Sequence, residues 1–104
     1  MRVIIVPVGK EPEVTDIEPG LKGLQTIVGG SIEMAGFDRD EPLSIICNEE
    51  GKIFKLPPNR FIPELQDIIH GDFAIVRCNM QTGENEDLTD EDIKLIRAKL
   101  TFDA

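Results

Sequence analysis

The sequence predicts an α+β fold, a single mixed, mainly antiparallel sheet with two or three short helices forming one domain over residues 1–104. Three observations carry this. Apolar runs rich in β-branched residues, such as Val3-Ile4-Ile5-Val6 and Leu43-Ser44-Ile45-Ile46-Cys47, are bounded by turn-forming Gly, Pro, Asn and Asp. Two other stretches place apolar residues at helical spacing beside helix stop or start signals. With 104 residues, 40% of them apolar and 30% charged, the chain can bury one core without disulfide or metal staples, and no repeat or linker divides it.

Arg2 to Val8 reads as a buried strand. Gly9-Lys10-Glu11-Pro12 turns the chain, and Glu13-Val14-Thr15-Asp16-Ile17 alternates polar and apolar as the second arm of a hairpin. Leu21, Leu24, Ile27 and Val28 form one helical stripe, which Gly29-Gly30 ends because glycine enters the left-handed conformation without steric cost. Alternation returns over Ser31 to Phe37, and Leu43 to Asn48 reads as a central strand. Gly51 is expected to supply a positive backbone angle for a short hairpin, with Ile53 and Phe54 starting the return strand. Leu56-Pro57-Pro58-Asn59-Arg60 must leave the sheet or follow an edge, since proline has no amide proton for a ladder. Phe61 to Ile69 is ambiguous. Leu65, Ile68 and Ile69 have helical spacing, but Pro63 limits any helix to one or two turns. Gly71 to Cys78 is a further strand. The last helix has Thr89 as N-cap, Asp92 in the capping-box position, Leu88 and Ile93 as a hydrophobic staple, and Lys94, Arg97 and Lys99 towards its negative end.

Twenty acids against eleven bases give a formal charge of −9, which disfavours general binding to DNA or RNA because that affinity comes from phosphate neutralisation. Six carboxylates lie between Glu84 and Asp92, either a solvated face or, functionally, a mimic of a nucleic-acid backbone or a contact to a basic partner. By contrast, Gly51 to Pro63 holds Lys52, Lys55 and Arg60 and no acid, so one local surface is expected to be positive. The opening apolar run is too short for a membrane span and is broken by Pro7 and Gly9, which predicts a cytoplasmic protein with no membrane partner. Cys47 and Cys78 sit in apolar segments and read as reduced core residues, although neighbouring strands could bring them close. His70 has no cysteine spacing around it that would make a zinc site, so neither metal nor cofactor is expected, and no catalytic constellation is apparent.

Five short motifs follow one another: Leu24 to Glu33 (LQTIVGGSIE), Asn48 to Lys52 (NEEGK), Leu56 to Arg60 (LPPNR), Ile68 to Asp72 (IIHGD) and Leu88 to Glu91 (LTDE). Through them the chain resembles, over nearly its whole length, the bacterial and phage family catalogued as domain of unknown function 3846. The resemblance implies a small stand-alone protein of phages and mobile elements and brings no assigned activity. Phe73-Ala74-Ile75-Val76-Arg77-Cys78 departs from the more uniformly apolar strand of many relatives.

Within these motifs Asn59 and Arg60 follow two stiffening prolines, which would hold an amide and a forked guanidinium in fixed directions. Gln25 lies at the edge of the first helix's apolar stripe, where it could cap a backbone or meet a ligand. Arg60, Asn59, Lys52, Lys55 and Gln25 are therefore the candidate binding residues. The expected function is non-enzymatic: an accessory protein that binds a small anionic ligand, sequestering a host nucleotide signal to counter host defence. The alternative is an acidic protein-interaction module that inhibits a host protein or mimics nucleic acid. Sheet edges and the small size of one core lead to the expectation of a homo-oligomer, a dimer first, with the ligand pocket shared between subunits.

Overall fold

The computed structural model describes residues 1–100. Strands β1 (Arg2–Val6) and β2 (Glu13–Asp16) form the first hairpin, in which Arg2 stands opposite Asp16 and Ile5 opposite Glu13. Helix α1 (Leu21–Val28) stops at Gly29, whose φ of 75° turns its N–H and that of Gly30 back to the Gln25 carbonyl. Strands β3 (Ile32–Gly36) and β4 (Leu43–Asn48) form a second hairpin. After β5 (Pro58–Ile62) and β6 (Asp67–His70), strand β7 (Phe73–Cys78) enters between the two earlier hairpins. The short β8 (Asn85–Glu86) and helix α2 (Asp90–Lys99) follow.

The main sheet runs β2-β1-β7-β4-β3, with β8 pairing the far end of β7, and its neighbours are antiparallel throughout. Strand periodicity divides its side chains between two layers. Val3, Ile46, Ala74 and Val76 face α1 and pack with Leu24 and Val28. Ile4, Val6, Leu43, Ile45, Phe73 and Ile75 face the other way, against Ile93, Ile96 and Leu100 of the last helix and its C-cap and against Ile62 and Ile69 of the β5-β6 ribbon. The ribbon is a separate two-stranded sheet lying over this second face.

Two expectations are corrected here. Ile53 and Phe54 start no return strand, because β4 already has β3 on one side and β7 on the other and offers no open edge. The chain coils instead through successive turns, with Phe54 N–H donating to the Glu50 carbonyl and Leu56 N–H to the Gly51 carbonyl, both at 2.9 Å. The positive φ falls on Lys55 at 56°, while Gly51 is needed for close approach: a Cβ there would lie 3.0 Å from the His70 carbonyl oxygen. Likewise, Leu65, Ile68 and Ile69 belong to no helix. Pro63 to Gln66 turn the ribbon, with Gln66 at a φ of 50°, and Leu65 folds from that turn onto the core that Ile69 reaches from β6. Among the described residues the helices are therefore two.

The late acidic run is largely bound to its own chain. Asp87 Oδ1 accepts the Arg2 N–H at 2.9 Å, Asp90 pairs with the Arg2 guanidinium at 2.9 Å, and Glu86 Oε1 accepts from Asn79 at 2.7 Å. Asp92 is buried: its side chain accepts the Thr89 N–H at 2.9 Å while Thr89 Oγ1 accepts the Asp92 N–H at 3.1 Å, a closed capping box. At the other end of α2, Lys99 bridges Asp38 at 2.6 Å and Glu64 at 3.4 Å and lies over the Phe37 ring. Its hydrogen bond holds the Asp38 carboxyl below the usual carboxylate range. Thr89→Ala is expected to lower unfolding free energy by about 1 kcal/mol, read as a lower urea midpoint at unchanged slope. An unchanged midpoint would mean that the cap contributes nothing.

Candidate functional site

Asn59 sits at the bulge between Pro58 and Arg60, where the ribbon loses its register. Its side chain is buried and donates from Nδ2 to the Val6 carbonyl at 2.8 Å and to the Gly71 carbonyl at 2.9 Å. Oδ1 accepts from Arg60 Nη1 at 3.0 Å. Arg60 is buried as well, and its Nη2 donates to the Lys10 carbonyl at 2.9 Å. Both side chains thus tie the ribbon to the β1-β2 turn and the end of β1. Gln25 is on α1, behind the opposite face of the sheet, and its carbonyl receives the two glycine N–H groups that end that helix. Lys55 is exposed in the turn after β4. Of the five candidates, Lys52 alone lines the concavity between the sheet and the ribbon.

That concavity is a groove of about 300 Å³ between the β3-β4 end of the sheet and the β5-β6 ribbon. Glu33 and Ala35 of β3 and Cys47 of β4 form one wall, Leu65, Asp67, Ile68 and Ile69 the other, and Glu49, Lys52 and Ile53 close the end. Lys52 Nζ donates to Asp67 Oδ2 at 2.5 Å, and this bond holds the Asp67 carboxyl below its usual range. His70, also in the lining, has Nδ1 2.9 Å from the Leu56 carbonyl. A carbonyl only accepts, so Nδ1 carries the proton and in the neutral ring Nε2 is left as acceptor. Burial, reinforced by the Glu33 charge, pushes the Cys47 thiol up to about 11, so it stays protonated and weakly nucleophilic at neutral pH. Asn48 ties the groove's floor to α1, donating from Nδ2 to the Val28 carbonyl at 3.1 Å and accepting the Glu50 N–H on Oδ1 at 2.8 Å.

Charge in the groove is acidic, with Glu33, Glu49 and Asp67 against Lys52. Its rim is apolar. Ile53 is 75% exposed and Phe54 beside it 64% exposed, and Phe61 stands opposite Ile68 on the outer face of the ribbon. Large apolar side chains so exposed next to a concavity are a feature of binding surfaces.

Cys47 and Cys78 are both free. Although their strands are neighbours, Cys47 pairs with Glu33 on β3, whereas the Cys78 N–H meets the Pro42 carbonyl at the other end of β4. Among the described residues no group of three or more His, Cys, Asp or Glu could hold a metal ion, and no helix is long and apolar enough to cross a membrane.

A family model described as Domain of unknown function (DUF3846) matches residues 1–101. The chain belongs to the DUF3846 family. No curated protein and no solved structure matches it. The groove of this DUF3846 chain gathers parts of three motifs: Glu33 from the first, Asn48, Glu49, Gly51 and Lys52 from the second, and Ile68 to His70 from the fourth. The motif Leu56 to Arg60 acts from behind, fixing the ribbon that forms the far wall. Sequence reasoning missed Glu33, Glu49, Asp67 and the exposed pair Ile53-Phe54. The available signal for Glu33 was alternation, which puts it on the same face as Ala35.

Proposed function

We propose that this chain is a non-catalytic protein-interaction module whose working surface is the groove together with the Ile53-Phe54 turn. The observation that carries the reading is the exposure of those two side chains, at 75% and 64%, in a turn whose Ile53 lines a concavity with acidic walls. A core-forming strand would have buried them, and a turn without a partner gains nothing from presenting them to water. In the setting of phages and mobile elements, the partner would be a host protein that the module inhibits.

The test uses a displayed library of random peptides, selected on the wild-type protein and counter-selected on Ile53→Ser/Phe54→Ser. Both substitutions remove exposed side chains, so the melting temperature is expected to stay within a few degrees of wild type. Selected peptides are expected to bind wild type at micromolar affinity and the double variant at least tenfold more weakly, since each lost apolar anchor contributes about 1 kcal/mol or more. Equal binding to both proteins, or no binder below the millimolar range, would overturn the reading.

A second reading, capture of a small anionic nucleotide signal, is favoured by one observation: Lys52 lines the groove and its ammonium could donate to phosphate. Three carboxylates in that lining oppose it. Titration of cyclic and linear nucleotides by calorimetry decides between the two, with Lys52→Ala as the control for any ligand that binds.

A further inference from the structure

The open edge of the main sheet at β3 and the groove beside it form one surface. Among the described residues β3 is the last strand on its side, pairing only with β4. Which of its backbone groups are unused follows from the ladder. Ser31 carbonyl accepts the Glu49 N–H and Phe37 N–H donates to the Leu43 carbonyl, so the residues with odd numbers between them spend their hydrogen bonds on β4. Ile32, Met34 and Gly36 therefore direct N–H and C=O outward. Side chains divide the other way: Glu33 and Ala35 stand on the groove face, while Ile32 and the half-exposed Met34 stand on the α1 face.

We infer that the β3 edge accepts an extended basic segment of a partner protein as an additional strand, its lysine or arginine side chains entering the groove and its apolar side chains covering Met34. The inference rests on the interaction-module reading and names the partner's chemistry. Charge selects the occupant. The Asp67 carboxylate already has Lys52, which leaves Glu33 and Glu49 as acids without a cation in the groove lining. A second copy of this chain would bring the same acids against themselves, with a formal charge of −9 on each subunit. A segment alternating basic and apolar residues matches both faces at once, since period-two alternation is what an added strand presents.

The probe is a synthetic nine-residue peptide alternating lysine and valine, titrated into isotopically labelled protein at low salt. The controls are the same peptide with glutamate for lysine, and the lysine peptide N-methylated along one edge. Binding of the lysine peptide is expected to slow hydrogen exchange at the amides of Ile32, Met34 and Gly36 and to weaken steeply with salt. Glu33→Gln is expected to weaken it about threefold, the range for an exposed charge pair. The acidic peptide is expected not to bind, and N-methylation to cost about tenfold or more because it removes backbone donors.

Absence of lysine-peptide binding up to millimolar concentration would overturn the inference. So would binding that perturbs Gly51 to Lys55 and β6 but leaves the three β3 amides exchanging as before, an outcome under which the interaction-module reading still stands. Concentration-dependent protection of those amides without peptide would identify a second copy as the occupant and overturn it as well. Equal binding by Ile53→Ser/Phe54→Ser together with full β3 protection would support the strand addition while removing that turn from the interface.

Discussion

Asp92→Ala is expected to lower the unfolding free energy by about 2–3 kcal/mol, well beyond the loss of an ordinary cap. The carboxylate performs three tasks from a buried position. One oxygen accepts the Thr89 N–H at 2.9 Å, the other accepts from Arg77 Nη1 at 2.8 Å, and the charge lies in the first turn of α2, where the helix dipole favours it. Removing one member of a largely buried pair costs most when the other stays dry. The Arg77 side chain is 27% exposed and can recover part of its hydration, which keeps the expected loss below that of a fully buried pair. Asp92→Asn retains an acceptor and should cost about half as much. Urea midpoints at constant slope measure both. A loss for Asp92→Ala no larger than that for Thr89→Ala would show that the bond to Arg77 adds nothing to stability.

Asn59→Ala is expected to cost about 3 kcal/mol. Two carbonyls, those of Val6 and Gly71, lose their shared donor in a place that water does not reach, and each such loss costs about 1–3 kcal/mol. Arg60 also loses the oxygen that orients its Nη1. Asn59→Asp should be at least as damaging, because it turns a carboxylate oxygen towards two carbonyl oxygens. Chemical denaturation of the three proteins provides the comparison. Were Asn59→Ala as stable as wild type, the anchoring of the ribbon to the end of β1 would have to come from elsewhere.

The strand ends, the first helix with its glycine stop, and the capping box of α2 were legible because each depends on neighbours in sequence. Alternation marked Glu13 to Ile17 and Ser31 to Phe37 as strands, and Gly29 marked a left-handed cap. What could not be read depended on distant pairing. Ile53 and Phe54 look like the start of a strand until β7 is seen to occupy the edge they would need. Leu65 and Ile69 stand at helical spacing because a turn residue and a strand residue converge on one core, while Ile68 stands opposite Phe61. Lys52, Lys55 and Arg60 are neighbours in a basic stretch, yet the ribbon buries Arg60 and the turn leaves Lys55 in solvent. Asn59 was singled out for the two prolines before it; its partners lie in segments that no local pattern connects to it.

The central position of β7 has a consequence for how the chain is made. The β1-β2 and β3-β4 hairpins leave the ribosome early, but neither touches the other in the sheet until Phe73 to Cys78 has been synthesised and can slot between them, Ile75 meeting Ile4 on one side and Ile45 on the other. Until then each hairpin is a two-stranded piece with one apolar face uncovered, too small to persist alone. Closure is thus a late event over long sequence separations, the kind of contact that slows folding. During that interval the nascent chain exposes the β1 and β4 edges to any chaperone or sticky neighbour.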